Sequence, residues 1–172
     1  MLTVKKSGDR ETCSNVDGKY WIDALSNGRH VLIRQPTEKD RERENTFIHR
    51  LALASRHMRF LAQICEPGKG ITYIALVHEN GQLVEIGVSR YVAAGDYKCE
   101  CVVAVVDDWK RLGLGTLLME HLIDAACKNS VHLMYSVGPS SNAPMRDLAR
   151  SLGFQAHDDP FDPHQVIHRL YL

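Results

Sequence analysis

Apolar and polar positions change period several times along the chain, and each change predicts an element. In KYWIDALSNGRHVLIRQ, residues 19–35, two apolar-rich runs flank Asn27-Gly28, a pair that tolerates positive φ. This predicts a β-hairpin, ended by Pro36, which has no ladder donor. From Thr37 the spacing turns helical. Thr37 stands where it can cap a first turn of Glu38, Lys39 and Asp40, Asp40 partly imitates a capping box, and Phe47, Ile48 and Leu51 follow on one face. A second helix is expected over 55–64, carrying Met58, Leu61 and Ala62 and closed by Pro67-Gly68. Runs 71–78 and 82–92 read as antiparallel strands around Glu79-Asn80-Gly81, and Gly95-Asp96 turns the chain into a further strand, 98–106.

The second half alternates strand and helix. Residues 113–128 put Leu114, Leu117, Leu118, His121, Leu122 and Ala125 on one face of a helix. VHLMYSV, 131–137, reads as a buried strand. A helix over 142–152 tolerates Pro144 in its first turn, and 165–172 reads as a last strand. Residues 1–18 have no period and are expected to form a loose arm ahead of one domain, 19–172. The succession of hairpin, two helices, three antiparallel strands, helix, strand, helix and strand predicts an α+β fold, a mixed, mostly antiparallel sheet flanked by helices.

Composition narrows the function. At 172 residues one domain is the default. Lys plus Arg and Asp plus Glu are each 21, so no cationic surplus exists to displace counterions from nucleic acid. No run is long enough to cross a bilayer, and MLTVKKSGDR lacks the apolar core of a signal peptide. Five cysteines without a framework spacing suit free thiols in the cytoplasm. The histidines and aspartates of 157–168 match no zinc spacing and read as a solvated loop, so no metal is expected.

The stretch with the clearest chemistry is CECVVAVVDDWKRLGLGTLLMEHLI, 99–123. A strand crosses an Asp-Asp-Trp corner into the loop KRLGLGT, which becomes a long amphipathic helix. The first N–H groups of a helix have no intrahelical partner, and its dipole adds positive character there, so such a place suits phosphate. Gly113 and Gly115 would let a diphosphate approach the main chain, with Lys110, Arg111 and Thr116 beside it. An ordinary strand–turn–helix corner also accounts for a bare G-x-G. A dinucleotide fingerprint would need glycine at Leu118, and a Walker A loop needs Gly-Lys-Ser/Thr, which is absent.

KRLGLGT resembles the Q/R-x-x-G-x-G/A loop of the GNAT N-acetyltransferases. NGRHVLIRQPTEKD, LALASRHMRF, CECVVAVVDDWKRLGLG and SNAPMRDLARSLGF are similar, in this order, to motifs of the acetyltransferase domain in the bacterial protein-lysine acetyltransferases of the Pat type. The resemblance covers residues 20–154. It implies a GNAT fold splayed at the strands that bind acetyl-CoA. It also implies a loop (Lys110, Arg111, Leu112, Gly113, Leu114, Gly115 and Thr116) holding the cofactor diphosphate, and backbone groups of Val103, Ala104 and Val105 meeting the pantetheine. Asn142 matches a family position near the cofactor, although its local chemistry alone is that of an N-cap.

The implied reaction moves an acetyl group from acetyl-CoA to an amine, with a protein lysine as the expected acceptor. Glu100 matches the glutamate that Pat-like enzymes use as general base; without the resemblance, a strand-end Glu paired with a surface Arg would be the commoner reading. Two departures stand out. Lys110 is a point charge where Gln or Arg is usual. Ala149 occupies the place where many GNAT enzymes carry a Tyr as general acid. A small amine or amino acid as acceptor, or an acyl-CoA-binding module without turnover, are the alternatives, and a homodimer stays open as an assembly.

Overall fold

The computed structural model describes residues 11–15, 18–51 and 70–172. The helix expected over 55–64 lies outside the described residues. Within them, nine strands hydrogen-bond into one sheet in the order β1-β2-β3-β4-β5-β6-β7-β9-β8. These are β1 (Glu11–Asn15), β2 (Gly18–Ala24), β3 (His30–Arg34), β4 (Gly70–Glu79), β5 (Gln82–Ala93), β6 (Lys98–Val105), β7 (Leu133–Pro139), β8 (Gln155–Asp158) and β9 (Gln165–Tyr171). Three α-helices accompany them: α1 (Arg41–Arg50), α2 (Leu114–Lys128) and α3 (Ala143–Ser151). Every strand pair is antiparallel except β6 with β7, so the expected α+β architecture stands.

Two strands escaped the sequence pattern. Part of the segment expected as a loose arm is β1, which pairs with β2 from Glu11 opposite Ile22 to Asn15 opposite Gly18. β8 is a short edge strand whose four residues are all exposed, so no apolar alternation marked it. The hairpins formed where their turn residues lie. Asn27 Oδ1 accepts the Arg29 N–H at 3.1 Å, and Asn80 and Gly81 both take positive φ between β4 and β5.

Side-chain alternation assigns the two faces of the sheet. Ser89 donates its hydroxyl to the Leu118 carbonyl of α2, and Ser89 lies opposite Val103, so Cys99, Cys101, Val103 and Val105 face α2. Glu100, Val102 and Ala104 face the other side. That is also the face of Arg90, which lies opposite Val102 and whose charge acts on Glu44 of α1. The core lies chiefly between α2 and the sheet, with Leu114, Leu118, Met119 and Leu122 of α2 fully buried. At its N-terminal edge, Asp23 of β2 meets His121 Nε2 at 2.8 Å, and Trp21 stacks on the His121 ring with centroids 4.1 Å apart. This buried pair ties the added N-terminal strands to α2.

A register shift between Ala75 and Leu76 places Ile86 as an extra residue in β5. It changes the parity, so Glu85 turns under α1, 2% exposed, with both carboxylate oxygens lacking a hydrogen-bond partner. Burial, reinforced by the charges of Glu44 and Asp40 and opposed by Arg34 and Arg43, pushes its carboxyl up to about 8. The folded chain therefore keeps this proton over a range in which the unfolded chain releases it. The stability associated with it is complete below about 4.5 and is lost as pH rises towards about 8. Glu85→Gln is expected to remove that contribution, so melting curves of wild type and variant should diverge steadily across this window. The divergence should approach about 1.4 kcal/mol per pH unit at its steepest. Parallel curves would show that Glu85 ionises normally.

Candidate functional site

The parallel pairing of β6 with β7 is short. It runs from Lys98 opposite Leu133 to Glu100 opposite Tyr135 and then stops, although β6 continues to Val105 and β7 to Pro139. β6 keeps its other edge on β5 through Val105, and β7 keeps its other edge on β9. A wedge therefore opens between two strands that remain anchored on their far sides. Its apex is the Glu100–Tyr135 pair, and its mouth lies at the C-terminal end of β6. The edge of β6 from 101 to 105 has no strand partner on the wedge side, which leaves main-chain donors and acceptors there for an extended ligand.

At the mouth, β6 passes into the loop that precedes α2. The N–H of Val106 donates to Ile86 O at 3.0 Å, so the bulge in β5 fixes where the strand ends. A 3-10 turn over Asp107–Trp109 follows, and then Arg111 and Gly113 take positive φ, +60° and +85°. Gly113 is the N-cap of α2, and a Cβ there would meet nothing within 4 Å; the backbone angle is what calls for glycine. Gly115 stands in a different setting: a Cβ there would lie 3.4 Å from Leu148 Cδ2, where α3 packs on the first turn of α2.

The first amide after the loop with a backbone acceptor is that of Leu117, bonded to Gly113 O at 3.1 Å. Among the described residues, the N–H groups of 111–116 show no backbone acceptor outside the helix ladder, and the first turn of a helix cannot supply one. These six amides lie in the loop and first turn of a 15-residue helix, beyond the C-terminal end of β6 where the wedge is open. Lys110, at this rim, is half-exposed and ion-paired with Asp107.

Supports invisible in the sequence hold the loop in place. Ser26, in the turn between β2 and β3, donates its N–H to Leu112 O at 3.1 Å, and the Arg29 guanidinium lies 3.9 Å above the ring of buried Trp109. At least 80 positions separate these partners, so no local spacing could reveal them. Gly113→Val is expected to weaken binding of a diphosphate ligand at least 10-fold while the sheet stays folded, because a β-branched residue resists φ near +85°. Calorimetric titration checks this, and an unchanged Kd would sever the link between loop geometry and binding.

The remaining sequence candidates divide. Glu100 stands at the apex on the α1 face, and Val103, Ala104 and Val105 line the unpaired edge of β6. Asn142 is the N-cap of α3 and accepts the Met145 N–H at 3.2 Å, so its local role is met within the chain. Ala149 is buried in α3. The acidic C-terminal loop is knitted by Asx turns, Asp159 accepting from Phe161 N–H and Asp162 from His164 N–H. No helix among the described residues is long and apolar enough to cross a membrane.

Comparison with known proteins agrees with this geometry. The pattern of the acetyltransferase (GNAT) family matches residues 30–154. Acetyltransferase PA5475 of Pseudomonas aeruginosa is 45% identical over 186 aligned positions that span 100% of both chains. The [ribosomal protein bS18]-alanine N-acetyltransferase of Escherichia coli is 36% identical over 76 residues, 44% of this chain and 50% of that one. Among solved structures, the GNAT domain of Pat from S. lividans superposes with a TM-score of 0.75 at 16% identity, covering 89% of this chain and 97% of that one. A family pattern spanning most of the chain, a full-length relative and the wedge with its glycine loop all converge: the chain belongs to the GNAT acetyltransferase family and is an acyltransferase of the kind that uses acetyl-CoA as co-substrate.

Proposed function

We propose that this enzyme acetylates a primary amine on a protein, with a lysine side chain as the acceptor and Glu100 as general base. The observation that carries this reading is the position of Glu100 at the end of β6–β7 pairing, on the sheet face opposite α2. The amides of residues 111–116 would hold the diphosphate of acetyl-CoA, and the unpaired edge over Val103, Ala104 and Val105 would meet the pantetheine. The absence of any Cβ-sized obstruction at Gly113 fits that use. Bound there, acetyl-CoA supplies the activated acyl group. The protein must position it, exclude water and remove a proton from the acceptor. A lysine amine is neutral about once in 10³ at pH 7, a handicap of roughly 4–5 kcal/mol. A carboxylate at the apex, acting directly or through one water, offsets much of it. A backbone N–H from the free edge of β6 would stabilise the oxyanion.

Support for a protein acceptor comes from the motif resemblance to Pat-type lysine acetyltransferases and from the match to an enzyme that acetylates a ribosomal protein. Residues 19–172 are read as one catalytic domain, and the free thiols of Cys99, Cys101 and Cys127 favour a cytoplasmic setting. Acetyl-CoA at 100 times Kd is expected to stabilise the chain by about 2.7 kcal/mol, visible as a rise in Tm. Incubation of protein and labelled acetyl-CoA with fractionated lysate should place label on macromolecules. Peptide mapping then separates a lysine Nζ from an N-terminal amine, and label confined to small molecules would refute the protein acceptor.

A further inference from the structure

The wedge has a second polar group at its apex, on the face opposite Glu100. Ser136 follows Tyr135, the last β7 residue paired with β6, so it is the first residue on the free arm of the wedge. Alternation puts it on the face of Met134, which is buried in the core and lies opposite Cys99, and therefore on the α2 side. The residue is 6% exposed, and its Oγ is closed off from solvent with no hydrogen-bond partner. Its cross-strand neighbour on β9 is His168, also buried. Burial first, and the charge of Arg146 on α3 second, hold the His168 imidazole below its usual pKa. Arg146 belongs to the same helix as Ala149, which leaves the α3 side without a phenol.

A buried hydroxyl without a partner costs free energy and calls for an explanation. We propose that Ser136 donates its hydroxyl hydrogen bond to the sulfur of coenzyme A as the acyl–sulfur bond breaks. This inference rests on the acetyl-transfer reading above. The two faces of the wedge then divide the work. The amine approaches from the Glu100 side, and the leaving sulfur departs towards Ser136, on the opposite side of the acyl carbon. In the balanced step, nitrogen forms a bond to the acyl carbon and gives one proton to Glu100. The carbon–sulfur bond breaks with its electron pair on sulfur, sulfur takes one proton from water, and the hydroxide left behind is neutralised by the proton that Glu100 gives up. Ser136 keeps its own proton and lends only the hydrogen bond, which strengthens as charge accumulates on sulfur.

Calorimetry at pH 8.5 with free coenzyme A and with desulfo-coenzyme A, which has hydrogen in place of the thiol, tests the contact without turnover. Wild type is expected to prefer the thiol form, and Ser136→Ala to bind both alike. The variant should also lose about 10- to 100-fold in kcat with little change in KM for acetyl-CoA, the size expected for one charge-assisted hydrogen bond. Its Tm should rise by about 2–4 °C, because an unsatisfied buried hydroxyl has been removed. A merely structural serine would move Tm without touching the thiol preference. A variant that keeps both the preference and the wild-type kcat would overturn the role of Ser136. A wild type that binds neither form would instead refute the acetyl-transfer reading itself.

Discussion

Glu100→Gln is expected to leave acetyl-CoA affinity within about twofold of wild type and to lower kcat by about 10²- to 10⁴-fold at pH 7. Gln keeps the length of the side chain and can still hydrogen-bond, but it cannot take a proton. The loss should shrink as pH rises towards the pKa of a free lysine amine, about 10.4, because the acceptor then arrives already neutral. That pH dependence separates a missing base from a misplaced cofactor, whose defect would persist at every pH. The affinity half of the expectation follows from the geometry. Glu100 lies at the apex, whereas the amides of 111–116 lie at the mouth, beyond the C-terminal end of β6. Steady-state rates from pH 6 to 10, with a separate calorimetric Kd, check both halves.

The largest effect on stability is expected at Asp40. This carboxylate is 2% exposed and gathers five donors. The Arg34 guanidinium forks onto it at 2.7 and 2.9 Å, Arg43 adds a third charged contact, and the Thr37 N–H and hydroxyl bond to it at 2.7 and 2.8 Å. Burial alone would raise its pKa, but the bonds from Arg34 and Thr37 and the Arg34 charge outweigh it and hold the carboxyl far below the ordinary range. Asp40 thereby joins the end of β3 to the start of α1. Asp40→Ala strands two guanidinium groups and uncaps the turn at once, a loss of about 3–5 kcal/mol. For a chain of this size that lowers Tm by roughly 6–20 °C. Because the folded pKa is depressed, this stability is present above the unfolded value of 3.8 and disappears as pH falls below it. Wild type and variant should therefore converge in acid, and a Tm difference under 2 °C at neutral pH would show the cluster to be dispensable.

Much of this was legible in the sequence, for identifiable reasons. Turn residues at Asn27-Gly28 and Asn80-Gly81 fix the hairpins, and the apolar face from Leu114 to Ala125 fixes α2, because each signal acts within a few residues. The glycine loop could be placed ahead of its helix for the same reason. The distinct settings of its two glycines could not: Gly115 lies against Leu148, which is on another helix. The capping box at Thr37 was readable, whereas the Arg34 and Arg43 contacts that turn Asp40 into a hub were not.

Long-range pairing hid the rest. Where β6 and β7 part company depends on register between residues 35 positions apart, and that register alone sets Glu100 opposite Tyr135 at the apex and puts Ser136 first on the free arm. The bulge at Ile86 that buries Glu85 leaves no mark on the apolar pattern of β5. Polar edge strands such as β8 carry no alternation to detect.

The most direct test follows backbone amides in a labelled sample during titration with coenzyme A. Saturable shifts should concentrate at 112–116 in the loop and first turn of α2, and along 101–105 on the free edge of β6, while β2 and β3 stay nearly still. Coenzyme A that binds with its perturbations elsewhere, leaving both segments unmoved, would contradict a diphosphate seated on these amides and a pantetheine laid along that strand.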